Sequence, residues 1–184
     1  MTFRIIAGAF KGRKLKAPKG TSTRPTQGMV REAVFNICQN EIEGSRFLDL
    51  YAGSGAMGLE ALSRGAAKAT FIEADRTAAA CIKENVAELH VEPQAVLLPV
   101  SASRAIHLLQ GNHFDIVYVD PPYETPFELE SLMPLLAPNA LLFVEGRHSP
   151  RKSDMPPVSP RLSLKDTRRF GIAVLFTFYN KEKS

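Results

Sequence analysis

The sequence predicts an α/β domain built on a mostly parallel sheet, with a short basic β-hairpin ahead of it and an antiparallel pair of strands at its end. Three observations predict this. Short apolar runs alternate with segments of helical periodicity, the pattern of strands buried on both faces by crossover helices. A glycine-rich loop stands between the first of these core runs and its helix. The last two runs leave no room for a helix between them, so they must pair antiparallel. A length of 184 residues suits one ordinary domain, and 45% apolar with 23% charged residues excludes a disordered or collagen-like chain.

Residues 3–16 alternate loosely and contain Gly8 and Gly12, as a short broken hairpin does. Residues 17–25 are polar and turn-rich, hence a loop. From Thr26, which serves as a cap, Met29, Ala33, Val34, Ile37 and Cys38 share one helical face. Residues 46–51 form the first core strand, AGSGAMG follows at once, and 59–64 continue as a helix stopped by Gly65. The second strand, 69–73, leads to a helix over 77–90 with Ala78, Ile82, Val86 and Leu89 facing inward. Residues 95–100 are a strand, 101–109 a short helix, and 114–119 a very apolar strand that ends in Asp-Pro-Pro-Tyr. Residues 127–136 read as a helix and 140–145 as the fifth strand. A Pro-, Ser- and base-rich loop over 146–160 precedes the final strands, 162–167 and 172–179, which turn around residues 168–171.

The net charge of +4 is unevenly placed. Residues 1–31 hold eight basic side chains and no acid, a surplus of +8; residues 147–184 carry +6 and the centre −10. Basic ends around an acidic centre suggest a polyanion-binding surface joined to a site of another character. No run approaches the ~18 apolar residues of a membrane span. The N-terminal residues lack a secretory pattern, and the two cysteines, Cys38 and Cys81, suit buried free thiols, so a cytoplasmic location is expected. His90, His107, His113 and His148 show no ligand spacing, and no metal is expected.

Gly53, Gly55 and Gly58 form G-x-G-x-x-G between a strand and a helix, the context a nucleoside-cofactor loop requires. Glycine lets the backbone turn and approach a ligand, and the helix start offers free N–H groups to an anion. Glu73 ends the next strand, 20 positions after Gly53, where a carboxylate can accept ribose hydroxyls. NAD and S-adenosylmethionine (SAM) both suit such a loop. Asp49, inside the first core strand, and the antiparallel tail favour SAM.

Asp120-Pro121-Pro122-Tyr123 follows the fourth core strand, at the crossover where open α/β sheets bind ligands. Two prolines stiffen the turn and leave carbonyls as acceptors. An exocyclic amine has two N–H donors, which Asp120 and the Pro121 carbonyl can each accept, aiming the nitrogen lone pair at a methyl donor. Tyr123 can stack on a base.

Taken together, LDLYAGSGAMGLEALSRGA, FIEAD and DPPY resemble class I SAM-dependent methyltransferases that act on exocyclic amines. RIIAG, GRKL, TRPT and VREAVFNI, between Arg4 and Ile37, resemble more narrowly the bacterial guanine-N2 methyltransferase family of 16S ribosomal RNA, the RsmD type. The resemblance implies a Rossmann-like seven-stranded sheet and methyl transfer from SAM to a guanine N2 in 16S rRNA. It implies a cytoplasmic monomer acting on a 30S subunit or assembly intermediate. Residue by residue, Asp49, Gly53 and Gly55 would lie along SAM, Glu73 would hold its ribose, and Ser101-Ala102 would meet the adenine. Asp120, Pro121 and Tyr123 would form the amine site. Arg4, Lys11, Arg13, Lys14, Lys16, Arg24 and Arg31 would contact RNA, making residues 1–25 an RNA-binding extension of a methyltransferase domain over 26–184. The chain departs from the family pattern at Ser101, at Tyr51 and at Gln27-Gly28. Three other readings stay open: an adenine-N6 methyltransferase, a SAM-binding assembly factor without essential catalysis, and an NAD oxidoreductase.

Overall fold

The computed structural model describes residues 3–18, 25–122, 128–147 and 158–181. Its strands are β1 (Phe3–Arg4), β2 (Lys14–Leu15), β3 (Arg46–Leu50), β4 (Lys68–Ile72), β5 (Ala95–Leu98), β6 (Phe114–Val119), β7 (Leu136–Arg147), β8 (Leu162–Phe170) and β9 (Ala173–Asn180). Its helices are α1 (Pro25–Ile37), α2 (Ala56–Ser63), α3 (Arg76–Leu89) and α4 (Ala102–Leu108), with a 3-10 helix at Leu129–Leu135.

Strands β3 to β9 form one seven-stranded sheet in the order β5-β4-β3-β6-β7-β9-β8. The chain winds from β3 outward through β4 to β5, then returns to pair β6 along the other edge of β3, all in parallel. That reversal opens a crevice beyond the carboxyl ends of β3 and β6. β9 runs antiparallel between β7 and β8, so the expected terminal hairpin closes the sheet. Its two strands join through Gly171-Ile172 alone, with Gly171 at φ +61°, as a two-residue hairpin loop demands. Arg168 and Arg169 therefore belong to β8 and not to the turn expected around them.

Alternating side chains divide the core into two layers. Phe47, Phe71, Ile116, Phe143 and Leu175 pack under α1, α2 and α3, against Val34, Leu59 and Ile82. Leu48, Leu50, Val117, Val119, Leu142 and Phe178 pack on the other face, against Ala102 and Ala105 of α4 and Leu129 and Leu132 of the 3-10 helix.

Four expectations need correction. The helix expected over 127–136 is, among the described residues, only a seven-residue 3-10 turn, because Pro134 inside it has no N–H to continue an α-helical ladder. β7 then starts at Leu136, earlier than expected, and shifts register before settling at Leu141. In α1, Pro25 takes the first helical position and Thr26 lies inside the helix rather than capping it. Met29, expected on the buried face, is 55% exposed, and Val30 is buried in its place.

The N-terminal pair β1–β2 is tied closely to the sheet's helical layer. Ile5 and Leu15 are buried in the α1–α3 core. The backbone between the strands finds its hydrogen bonds on α2: Ile6 and Ala7 donate to the two carboxylate oxygens of Glu60 at 2.8 and 3.0 Å, and Ala9 donates to the Ser63 carbonyl at 2.7 Å. Gly8 makes this approach possible, since a Cβ there would lie 1.8 Å from the Ser63 oxygen. Asn85 of α3 brackets Lys16, accepting its N–H at 2.8 Å and donating to its carbonyl at 3.0 Å.

Candidate active site

The glycine loop runs from the end of β3 into α2, and its glycines have different duties. Gly53 turns the chain at φ +56°, and a Cβ on it would meet nothing within 4 Å, so its bare face opens on the crevice. Gly58 lies inside α2, where a Cβ would sit 2.3 Å from the Phe71 ring, so the third glycine sets how closely α2 packs on β4. α2 accordingly begins at Ala56, inside the motif, and not at Leu59 as expected.

Four acids follow one another across the sheet's carboxyl end. Glu73 stands just past β4, Asp49 on β3, Asp120 just past β6, and Glu145 on β7. Register puts them on one face: Asp49 pairs with Phe71 and Tyr118, and Tyr118 with Phe143. Side chains two residues further on point the same way. Asp49, Tyr118, Asp120 and Glu145 line one cavity of about 140 Å³ with Gly53, and Gln27 and Arg31 of α1 contribute to its wall.

Each acid is held differently. The Glu73 carboxylate accepts from Gly53 N–H at 2.7 Å and from Asp75 N–H at 2.8 Å, so it shapes the glycine loop directly. Asp49 is buried and accepts from Gly58 N–H at 3.0 Å. Burial pushes its carboxyl up to about 7, with the Glu73 charge adding and the Gly58 bond opposing. Asp120 is also pushed up to about 7, first by burial, then by Glu145 and Asp49. Glu145 accepts from the Tyr118 hydroxyl at 2.6 Å. Burial raises its carboxyl too, against that hydrogen bond.

The structure thus brings Asp49, Gly53 and Asp120 together around one cavity, with Glu73 bonded to Gly53. Gly55 starts α2 behind them. Pro121 follows Asp120, half-buried, outside the cavity lining. Ser101 and Ala102 stand at the start of α4, also outside it, and Ser101 caps that helix by accepting from Arg104 N–H at 3.4 Å. Tyr123 and Arg24 lie outside the described residues.

The expected RNA-contact residues separate into two kinds. Arg4, Lys11, Arg13, Lys14 and Lys16 are exposed. Among them Arg13 and Lys16 also make ion pairs with Glu88 and Glu84 of α3, at 3.3 and 2.8 Å. Arg31 is not on that open surface. It is 7% exposed, donates to the Arg4 carbonyl at 2.6 Å and pairs with buried Glu60 at 3.8 Å, so it clamps α1 to the N-terminal segment at the cavity wall. Glu145, Tyr118 and Glu60 were missing from the sequence reading. The one available signal was position: Glu145 ends an apolar strand at the ligand side of the sheet, as Glu73 does. Among the described residues no cluster of His, Cys, Asp and Glu could hold a metal ion, and no helix is long and apolar enough to cross a membrane.

Sequence and fold both match known proteins. The family model described as conserved hypothetical protein 95 matches residues 3–179. The chain is 38% identical over 185 residues to ribosomal RNA small subunit methyltransferase D of Escherichia coli, covering 97% of this chain and 90% of that one. It is 35% identical over 175 residues to the putative rRNA methyltransferase YlbH of Bacillus subtilis, covering 92% and 94%. The solved structure of the putative methyltransferase yhhF from Escherichia coli superposes with a TM-score of 0.87 at 34% identity, over the whole of both chains. Motif, fold and likeness agree, and the chain belongs to the conserved hypothetical protein 95 family, the RsmD family of class I SAM-dependent methyltransferases.

Proposed function

We propose that this chain transfers a methyl group from SAM to the exocyclic N2 of a guanine in 16S rRNA, acting in the cytoplasm as a monomer on a 30S subunit or an assembly intermediate. The observation that carries the reading is the convergence of Gly53, Asp49 and Asp120 on one cavity at the sheet's crossover. The relatives named as ribosomal RNA small subunit methyltransferases, similar over nearly the whole chain, support the rRNA substrate. Residues 1–25 would be the RNA-holding extension, through Arg4, Lys11, Arg13, Lys14 and Lys16.

The residues present fit SAM. Gly53 offers an open, side-chain-free face, and the wall carries carboxylates that complement a cationic ligand. SAM, when bound, supplies an electrophilic methyl on a positively charged sulfur. Asp49 and Gly53 would hold its aminoacyl end, and Glu73 would accept ribose hydroxyls with the lone pairs its two backbone bonds leave over. Asp120 and the Pro121 carbonyl would accept the two N–H bonds of the amine and point its lone pair inward, so catalysis is by positioning and electrostatics. The target base must leave its stack to reach this depth. No histidine is needed as a base, because the nitrogen sheds its proton readily once methylated.

The test is to incubate unmodified 30S particles and free 16S rRNA with methyl-labelled SAM and map the modified nucleotide. Label at one guanine N2 is expected, and Asp120→Ala should abolish it. No incorporation into either substrate, with SAM demonstrably bound, sinks the reading; label on adenine N6 replaces it.

A further inference from the structure

We propose that Glu145 is a base-specificity residue whose carboxylate accepts the N1–H of the target guanine, beside the amine held by Asp120. This rests on the guanine-N2 reading above.

Burying a carboxylate is costly unless a partner compensates it, and an acid kept at that cost in a cleft is a candidate for function. Glu145 is 8% exposed, lines the cavity and, among the described residues, is fixed by the Tyr118 hydroxyl, which donates to its Oε2 at 2.6 Å. Its place along the sheet says which ligand it meets. The glycine loop and Glu73 occupy the β3–β4 side, and Asp120 follows β6. β7 lies beyond β6, so Glu145 stands on the side of Asp120 away from the cofactor residues. That is where the rest of a base must lie once its amine is on Asp120.

The chemistry of that edge then decides between bases. In guanine the neighbour of the N2 amine is N1–H, a donor. In adenine the neighbour of the N6 amine is N1, an acceptor. An ionised carboxylate only accepts, so it pairs with the first and repels the second. Tyr118 holds Oε2 in place and thereby fixes the direction in which the carboxylate faces. Asp120 alone makes no such distinction, because both bases offer it an amine.

The experiment uses the full chain and 30S particles reassembled with 16S rRNA carrying either guanine or 2-aminopurine at the mapped position. 2-Aminopurine keeps the amine at C2 and has no N1–H. The wild type is expected to prefer guanine by about 10- to 100-fold in kcat/KM, the size of one charged hydrogen bond. In Glu145→Gln the Tyr118 hydroxyl still takes the amide oxygen, which turns the NH2 toward the base. Guanine activity should then fall by a similar factor and the preference should collapse toward parity, with SAM affinity and Tm close to wild type. An equal fall on both substrates with the preference intact, or no fall at all, overturns the proposal. Tyr118→Phe gives a second reading: the preference narrows if the carboxylate touches the base, and stays the same if it does not. A wild type that labels no guanine in the all-guanine particle is a different result, and condemns the functional reading itself.

Discussion

Under the proposed function, Asp49 concentrates the conflict between folding and ligand binding in one side chain. In the unfolded chain its carboxyl ionises near about 4, whereas burial in the fold pushes it up to about 7. Between those values the folded protein holds a proton that the unfolded chain has lost, so its contribution to stability is complete below about pH 4 and is lost as pH rises through about 7. Asp120 moves in the same direction and adds to the slope. The ligand-free protein should therefore melt at a lower temperature at pH 8 than at pH 5, and Asp49→Asn should flatten that dependence; a Tm that rises over this interval contradicts the assignment. A cationic cofactor reverses the preference, since it favours the ionised acid. SAM affinity measured by calorimetry should strengthen as pH rises through about 7, with proton release on binding. Asp49 and Asp120 were legible in the sequence because each belongs to a glycine- or proline-marked motif, and Glu73 because it ends a strand 20 positions after Gly53. Glu145 stands at the end of a strand and in no such motif. Its burial depends on β9 and β6 on either side of β7, a relation between strands far apart in the chain.

At the scale of elements, α2 does two jobs at opposite ends. Its first turn carries the glycine loop, and its last turn grips the N-terminal segment through Glu60 and Ser63. Glu60 is wholly buried and serves Ile6 N–H, Ala7 N–H, Arg64 at 2.8 Å and Arg31 at 3.8 Å. Removing it strands two cations and two backbone donors, a change worth about 3 kcal/mol or more. Glu60→Ala should lower Tm by several degrees and make the chain before α1 the first site of limited proteolysis, while the sheet keeps its secondary structure by circular dichroism. An unchanged digestion pattern would show that the clamp is not what holds this segment. Nothing in the sequence distinguishes Glu60 from an ordinary exposed helix acid, which is the default for its type. The strand–helix alternation and the terminal hairpin were legible because hydrophobic period reports them directly. The bounds of α2, the 3-10 turn and β7 were not, because close packing on Phe71, one internal proline and a register shift decide them.

At the scale of the molecule, the uneven charge has a spatial meaning. The basic N-terminal stretch is packed on α2 and α3, next to a cavity lined by acids. Deleting residues 1–16 would therefore be a poor test of RNA binding, since it also removes Ile5 and Leu15 from the core and takes from Glu60 and Asn85 the backbone groups they hold. Charge removal at Lys11 and Lys14, both exposed, leaves that packing alone. Lys11→Ala with Lys14→Ala should weaken 16S rRNA binding several-fold and reduce the slope of log affinity against log salt by about 1 to 2, with SAM affinity unaltered. A salt slope equal to wild type would remove both lysines from the RNA surface.

The row of acids along the sheet's carboxyl end also acts as a filter on what may enter. Once ionised, these groups draw in a cation and tolerate a neutral heterocycle, but they repel phosphate. Under the proposed function a nucleotide would thus enter base first, with its backbone left outside on the exposed lysines and arginines. The same charges that would hold the reacting groups would also keep the polymer's anionic strand from lodging where the base belongs.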